Sequence, residues 1–288
     1  MRDEKKPKPK TKNQKPIYAK KSFGQNFLVD QNYIGKIISA LNPQKDETII
    51  EIGAGRGALT EKLVESGANV LAIEFERDMI AILRGKFAEN ESFQIVEQDA
   101  LKIDFSELTK TKDQRPKTKL VANLPYNIST AILQKLIEQK DCFSEMVLMF
   151  QREVVERITA EAGNKERGFL SVLVQTYLEA EKLFDVSPNA FRPAPKVWSS
   201  VVRLQPKEEN EIGIADKQLF REIVSLGFRQ KRKTIFNNLK NSGEYLSEVF
   251  ENNGGIKNIL ERVQIEESRR AETLTLEEWK RLSNFLIQ

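Results

Sequence analysis

From Thr48 onward, short apolar runs bounded by turn residues alternate with longer stretches of helical period, and this alternation limits the possible folds more than any other feature. Such runs are best buried in a parallel sheet whose crossover helices cover both faces, which is an α/β architecture. Six runs read as strands: Thr48 to Ile52, Asn69 to Ile73, Phe93 to Val96, Lys119 to Ala122, Met146 to Phe150 and Val201 to Leu204. Leu59, Leu63 and Val64 recur at helical spacing between the first two, and Ser66-Gly67-Ala68 supplies the stop. Leu133, Leu136 and Ile137 mark another helix, and Val154, Val155 and Ile158 a third, so a doubly wound sheet is expected. From Pro206 the pattern changes. Leu219, Phe220, Ile223 and Val224 begin a run of helical segments with no credible strand through Leu286. A domain boundary is expected near residues 205 to 215, dividing 21–207 from a helical unit at 208–288.

Composition narrows the class further. The chain has 288 residues, 40% of them apolar, with no unbroken apolar run near the length of a membrane span, so a soluble protein with no membrane partner is expected. A single cysteine, Cys142, forms no internal disulfide and fits a reducing, cytoplasmic setting. The net charge of +4 hides an asymmetry: residues 1–21 carry nine Lys and Arg against Asp3 and Glu4. The remainder therefore sums to −3. The opening stretch contains Pro7, Pro9 and Pro16 and few apolar residues, and reads as a disordered basic tail over 1–20 suited to nucleic-acid phosphates. It has neither a secretory h-region nor the Arg-rich amphipathic character of an organellar presequence.

The loops after the strands carry the chemistry, because open α/β sheets bind ligands at the carboxyl ends of their strands. EIGAGRG at 51–57 places Gly53, Gly55 and Gly57 directly after a strand, where missing side chains allow close backbone approach to a ligand at a helix N-terminus. With Ala58, the segment also reads as a dinucleotide fingerprint, which leaves a dehydrogenase open at this step. Glu74 ends the second strand, where a carboxylate can accept from both hydroxyls of a ribose. Asp99, in Gln98-Asp99-Ala100, can accept from an adenine amino group or cap a following helical turn. Asn123-Leu124-Pro125-Tyr126 follows the fourth strand. The lone pair of an adenine amino nitrogen is delocalised into the ring, and two hydrogen-bond acceptors can localise it. The side-chain oxygen of Asn123 and the backbone carbonyl of Leu124 or Pro125 can serve so, with the Tyr126 ring offered to an unstacked base. The in-line methyl displacement that follows depends mainly on positioning and requires no imidazole, in keeping with a chain that has no His. No metal is expected.

Taken with FGQNFL at 23–28 and FRPAPKV at 191–197, these motifs resemble those of the ribosomal RNA adenine dimethyltransferases in the family order over nearly the whole chain. The resemblance implies a Rossmann-like methyltransferase domain with a small all-helical C-terminal domain, and S-adenosyl-L-methionine as cofactor. It implies that Asn26 and Leu28 contact the cofactor, Gly53 underlies its methionine part, Glu74 holds the ribose, Asp99 the adenine, and Asn123 touches both cofactor and target amine. Phe191 would face the target base opposite Tyr126; on its own, FRPAP reads as an extended loop with a buried Phe. The implied substrate is a pair of adjacent adenines in the 3′-terminal hairpin of 16S rRNA, presented by an immature 30S subunit; with no coiled coil or repeat in the sequence, a monomer is expected. Two departures from the family pattern stand out. Trp198 follows PKV where an Asp is usual, and is expected to pack internally; Phe236 follows KRKTI where a further Arg is common. Arg229, Lys231, Arg232 and Lys233 are expected to open a helix and to meet RNA phosphates. The alternatives are a large-subunit 23S rRNA adenine methyltransferase of the antibiotic-resistance type and a non-catalytic ribosome-assembly factor on the same fold.

Overall fold

A computed structural model describes residues 26–109 and 118–287. The basic tail and the first three residues of FGQNFL lie outside the described residues. The chain runs β1 (Phe27–Leu28), α1 (Gln31–Leu41), β2 (Thr48–Ile52), α2 (Ala58–Glu65), β3 (Asn69–Glu74), α3 (Arg77–Phe87), β4 (Phe93–Glu97) and α4 (Phe105–Leu108). Next come β5 (Lys119–Asn123), α5 (Ser129–Glu138), β6 (Glu145–Gln151), α6 (Arg152–Ile158), α7 (Phe169–Tyr177), β7 (Leu178–Val186), β8 (Phe191–Arg192) and β9 (Ser199–Pro206). Helices follow: α8 (Glu209–Ile212), α9 (Lys217–Gly227), α10 (Ile235–Leu239), α11 (Glu244–Asn252), α12 (Ile256–Arg262) and α13 (Leu276–Phe285).

Seven strands form the main sheet in the order β4-β3-β2-β5-β6-β9-β7. β2 to β6 are mutually parallel, each pair in register along its length. The expected parallel arrangement ends at one side, where β9 runs antiparallel to β6 and β7 antiparallel to β9. Six of these strands coincide with the expected runs, but β7 escaped the sequence reading. Its residues LEAEKLFDV include Glu179, Glu181 and Lys182 and show no clean alternation, because β7 is an edge strand with an irregular register between Lys182 and Phe184. A small second sheet pairs β1 with β8, setting Phe27 opposite Arg192 and Leu28 opposite Phe191.

Period-2 alternation divides the apolar residues between the two faces. Ile50 and Ile52 of β2 and Leu120 and Ala122 of β5 enter one cluster, while Ile49 and Val121 enter the other with Ile34, Ile37 and Leu41 of α1. The first cluster runs on without a break through α7 into Phe220, Ile223, Trp279 and Leu282, so the C-terminal helices share their core with one face of the sheet. Polar ties reinforce this junction. The buried Lys140 ammonium donates to the Lys207 carbonyl at 3.1 Å and lies 3.5 Å from Glu209, and Arg221 reaches Glu138 and Gln134 on α5.

At the end of α9, a Cβ on Gly227 would lie 2.4 Å from Cη2 of the fully buried Trp279, closer than real atoms approach. Alanine gains roughly 1 kcal/mol over glycine in a helix interior. Overpacking of a rigid indole costs about 1–3 kcal/mol, and here it wins. Gly227→Ala is therefore expected to lower stability by up to about 2 kcal/mol in urea unfolding, net of the two terms. An unchanged or raised midpoint would show that the Trp279 ring yields freely.

Candidate active site

The loops after β2, β3, β4 and β5 converge at the carboxyl edge of the parallel strands and enclose a cavity of about 410 Å³. Its walls include Asn26, Leu28, Gly53, Glu74, Asp99, Asn123, Leu124, Pro125 and Tyr126, so the structure brings nine of the residues singled out in the sequence to one place.

The glycine loop follows β2 in left-handed backbone conformations, with φ of 72° at Gly53, 55° at Gly55 and 78° at Gly57. Gly55 also meets the ring of Phe27, 3.2 Å from where its Cβ would stand. Glu74 fixes this loop to the end of β3. One carboxylate oxygen accepts from the Gly55 amide at 3.0 Å, and the other accepts from the amides of Phe75 and Glu76 at 2.9 and 3.0 Å. Both oxygens are thereby oriented before any ligand arrives. Asp99 lines the cavity, and one oxygen accepts from the Leu101 amide at 3.0 Å, capping a single helical turn.

Asn123 is the last residue of β5, and its side-chain nitrogen donates to the carbonyl of Asn26 at 3.2 Å. A carbonyl can only accept, so this bond settles the orientation of the amide and leaves Oδ1 as its acceptor end. In the loop beyond, the Pro125 carbonyl already accepts from Ile128 at 3.2 Å, and the Tyr126 carbonyl from the Ser129 hydroxyl at 3.1 Å. The Tyr126 hydroxyl is tethered to Ser199 Oγ at 2.8 Å, and partial burial pushes its phenol pKa up, keeping it neutral.

Three expectations are corrected. Phe191 does not reach the cavity: it is 0% exposed and packs with Leu28, Val186, Ala190 and Val201. Pairing of β8 with β1 turns alternate side chains inward and outward, and the apolar one goes to the core while Arg192 is exposed. Trp198 does not pack internally, being 44% exposed. Arg229, Lys231, Arg232 and Lys233 are exposed, but they occupy the loop between α9 and α10, since α10 starts only at Ile235 with Thr234 as its cap. The buried Asn238 braces this loop, donating to the carbonyls of Gly227 and Gln230 at 2.6 and 3.2 Å and accepting from the Gln230 amide at 3.1 Å. Phe236 packs against the main core.

Glu51 is a cavity residue whose side chain the sequence reading passed over. It is 2% exposed and accepts from the Thr60 hydroxyl at 2.6 Å. The signal was available: Glu51 is the one charge in the strand TIIEI. Burial, with a smaller contribution from nearby Glu74, pushes its pKa up to about 7, while the Thr60 hydroxyl acts in the opposite direction.

Residues 17–282 match the family described as Ribosomal RNA adenine dimethylase. The chain belongs to this family and is an enzyme of its kind. It is 45% identical to Ribosomal RNA small subunit methyltransferase A of Hahella chejuensis, over 77% of this chain and 80% of that relative. The protein of the same name from Saccharophagus degradans is 41% identical, covering 96% of this chain and 99% of its own. Among solved structures, a dimethyladenosine transferase from Plasmodium falciparum superposes with a TM-score of 0.74 at 26% identity, over 89% of this chain and 95% of that one. The 23S rRNA methyltransferase ErmE shares the fold, with a TM-score of 0.65 at 22% identity over 91% and 100%. The Rossmann-like methyltransferase fold is thus established, and the dehydrogenase reading is set aside.

The raised pKa of Glu51 makes stability depend on pH. Its carboxyl group stays protonated in the folded state up to about pH 7, whereas the unfolded chain releases the proton near 4.5. The favourable linkage is complete below pH 4.5 and is lost as pH rises through 7. Glu51→Gln keeps a partner for Thr60 and removes the ionisation, so its stability relative to wild type should grow from pH 4.5 to 7 and then level off. The rise should approach about 3 kcal/mol. Urea unfolding of both proteins at pH 5 and pH 8 measures it, and equal differences at the two values would contradict the assignment.

Proposed function

We propose that the protein transfers methyl groups from S-adenosyl-L-methionine to the N6 amino nitrogens of two adjacent adenines in the 3′-terminal hairpin of 16S rRNA. It acts as a monomer in the cytoplasm, on an immature 30S subunit. The observation that carries this reading is the fixed amide of Asn123, which offers an acceptor to an amine inside a cavity built for a nucleoside.

The residues fit the cofactor. The volume suits a nucleoside-sized ligand, the backbone of the glycine loop allows close approach, and the Glu74 and Asp99 carboxylates of different loops line the cavity. Asn26 and Leu28 would contact it, Gly53 would underlie its methionine part, Glu74 would accept from the ribose hydroxyls, and Asp99 would accept from the adenine amino group. When bound, the cofactor supplies an electrophilic methyl group on a sulfonium centre. The chain's own part is positional. Asn123 Oδ1 would accept one N–H of the target amine, and the Leu124 carbonyl the other, since the Pro125 carbonyl is already engaged by Ile128. Two such bonds draw the nitrogen toward tetrahedral geometry and hold its lone pair along the line of displacement. Tyr126, anchored through Ser199, would stack on the base. No step of this chemistry calls for a metal. Leaving the RNA stack costs a few kcal/mol and is cheapest in a loop, which favours a hairpin substrate.

The helices at 208–288 serve in this proposal as the RNA-binding unit, with Arg229, Lys231, Arg232 and Lys233 on phosphates. Small-subunit rRNA is favoured over the large subunit because relatives above 40% identity carry the small-subunit name, while likeness to ErmE is one of fold. The intact acceptor loop and acidic positions disfavour a non-catalytic factor.

Asn123→Ala should retain some cofactor binding by calorimetry and lose about 100-fold or more in transfer to unmethylated small subunits, because it removes an acceptor needed at the transition state. Wild-type turnover would overturn the mechanism. Replacing Lys231 and Arg232 together with Ala should weaken RNA binding and reduce the slope of log affinity against log salt by about 1–2, one unit or less per lost phosphate contact. An unchanged slope would remove the loop from the RNA interface.

A further inference from the structure

The segment from Arg192 to Trp198 reads RPAPKVW, with two cations and no acid. Both of its ends are fastened to walls of the cavity. At the start, Arg192 and Phe191 pair with Phe27 and Leu28, which line the cavity. At the far end, Ser199 is bonded to the Tyr126 hydroxyl, and the Trp198 carbonyl accepts from the Arg152 amide at 2.9 Å. The loop therefore spans the rim from the β1 side to the acceptor loop. Along it, Val197 is 43% and Trp198 44% exposed, and Arg192 and Lys196 are exposed as well. The Trp198 indole, one residue before the tethered Ser199, is left half in water and gains little for the fold, whereas the chain's second tryptophan, Trp279, is fully buried.

We infer that Trp198 is a stacking platform for an unpaired RNA base next to the target adenine, with Arg192 and Lys196 meeting the adjoining phosphates. An aromatic face flanked by cations is the pattern that binds single-stranded nucleic acid, since any base has a π-face and the backbone is anionic. The backbone of the platform is held by strand pairing: β9 begins at Ser199, opposite Gln151 of β6. Extruding the target base breaks its stack with its neighbour, and a second aromatic at the rim gives that neighbour a replacement surface. In this way Trp198 stabilises the opened hairpin rather than the reacting atoms. This inference rests on the proposed function, because it assumes an RNA strand entering over the rim.

The test compares wild type with Trp198→Ala, Trp198→Leu and Trp198→Phe, using S-adenosyl-L-methionine and unmethylated small subunits. Trp198→Ala and Trp198→Leu should raise the KM for subunits about ten-fold or more, move kcat much less and leave the cofactor Kd unchanged, whereas Trp198→Phe restores most of the loss. A structural role for an apolar side chain would be met by leucine, so rescue by Phe alone identifies stacking. Wild-type KM in Trp198→Ala, or rescue by Leu equal to that by Phe, overturns the inference. Wild-type transfer to small subunits separates the two levels. Where it is present, an unaffected Trp198→Ala overturns the stacking role alone; where it is absent, the proposed function falls and the stacking role with it.

Discussion

The structure depends on one topological constraint: the chain builds β2, β3 and β4 outward in one direction, then crosses back to place β5 against the other side of β2. At that reversal, the loops leaving β2 and β5 diverge to opposite faces, and a cleft opens that no side-chain choice elsewhere could create. Gly53 and Asn123 end up on either side of it. A Cβ on Gly53 would stand 4.0 Å from the Asn123 carbonyl, so the two loops approach through backbone. The switch point thus decides that the glycine loop after β2 and the Asn-Leu-Pro-Tyr loop after β5 face one another, and side chains settle only what they do there.

What could be read from the sequence divides along physical lines. β2 and β5 were plain because buried parallel strands are nearly continuous apolar runs, and their flanking loops carry unusual residues at fixed offsets. β7 and α7 were not. The edge strand carries the charges and helix formers that resist edge pairing, and α7 (FLSVLVQTY) is buried on almost every side, so it shows no amphipathic stripe to count. At the site, glycines, carboxylates and the Asn-Leu-Pro-Tyr loop were legible because each residue type has few reasons to follow a buried strand. Phe191 was misplaced for the opposite reason. An aromatic residue serves a core or a base equally well, and only the pairing of Leu28 with Phe191 turns it inward. Trp198 reversed the same ambiguity.

The C-terminal helices were expected as a separate unit, yet one apolar cluster joins them to the sheet. Because α7, α9 and α13 pack on one another, the cationic loop between α9 and α10 is positioned by the same core that holds β5. Phe228 anchors the start of the loop, stacked on the buried Trp279. Beyond Phe228 the loop is braced by Asn238, buried and using both ends of its amide, on the backbone groups of Gly227 and Gln230. Four cations so close together repel, and a braced loop keeps them exposed and together, ready for a polyanion.

Two asparagines therefore do related work in opposite settings. Asn238 spends its whole amide on the protein, and the result is rigidity. Asn123 spends only its nitrogen, on the Asn26 carbonyl, and keeps its oxygen available. An aspartate at position 123 would place an acceptor against that carbonyl and lose the bond, while a shorter polar side chain could not bridge the same gap. A carboxamide offers a donor to the scaffold and leaves an acceptor on the same planar group, which suits asparagine at the end of β5.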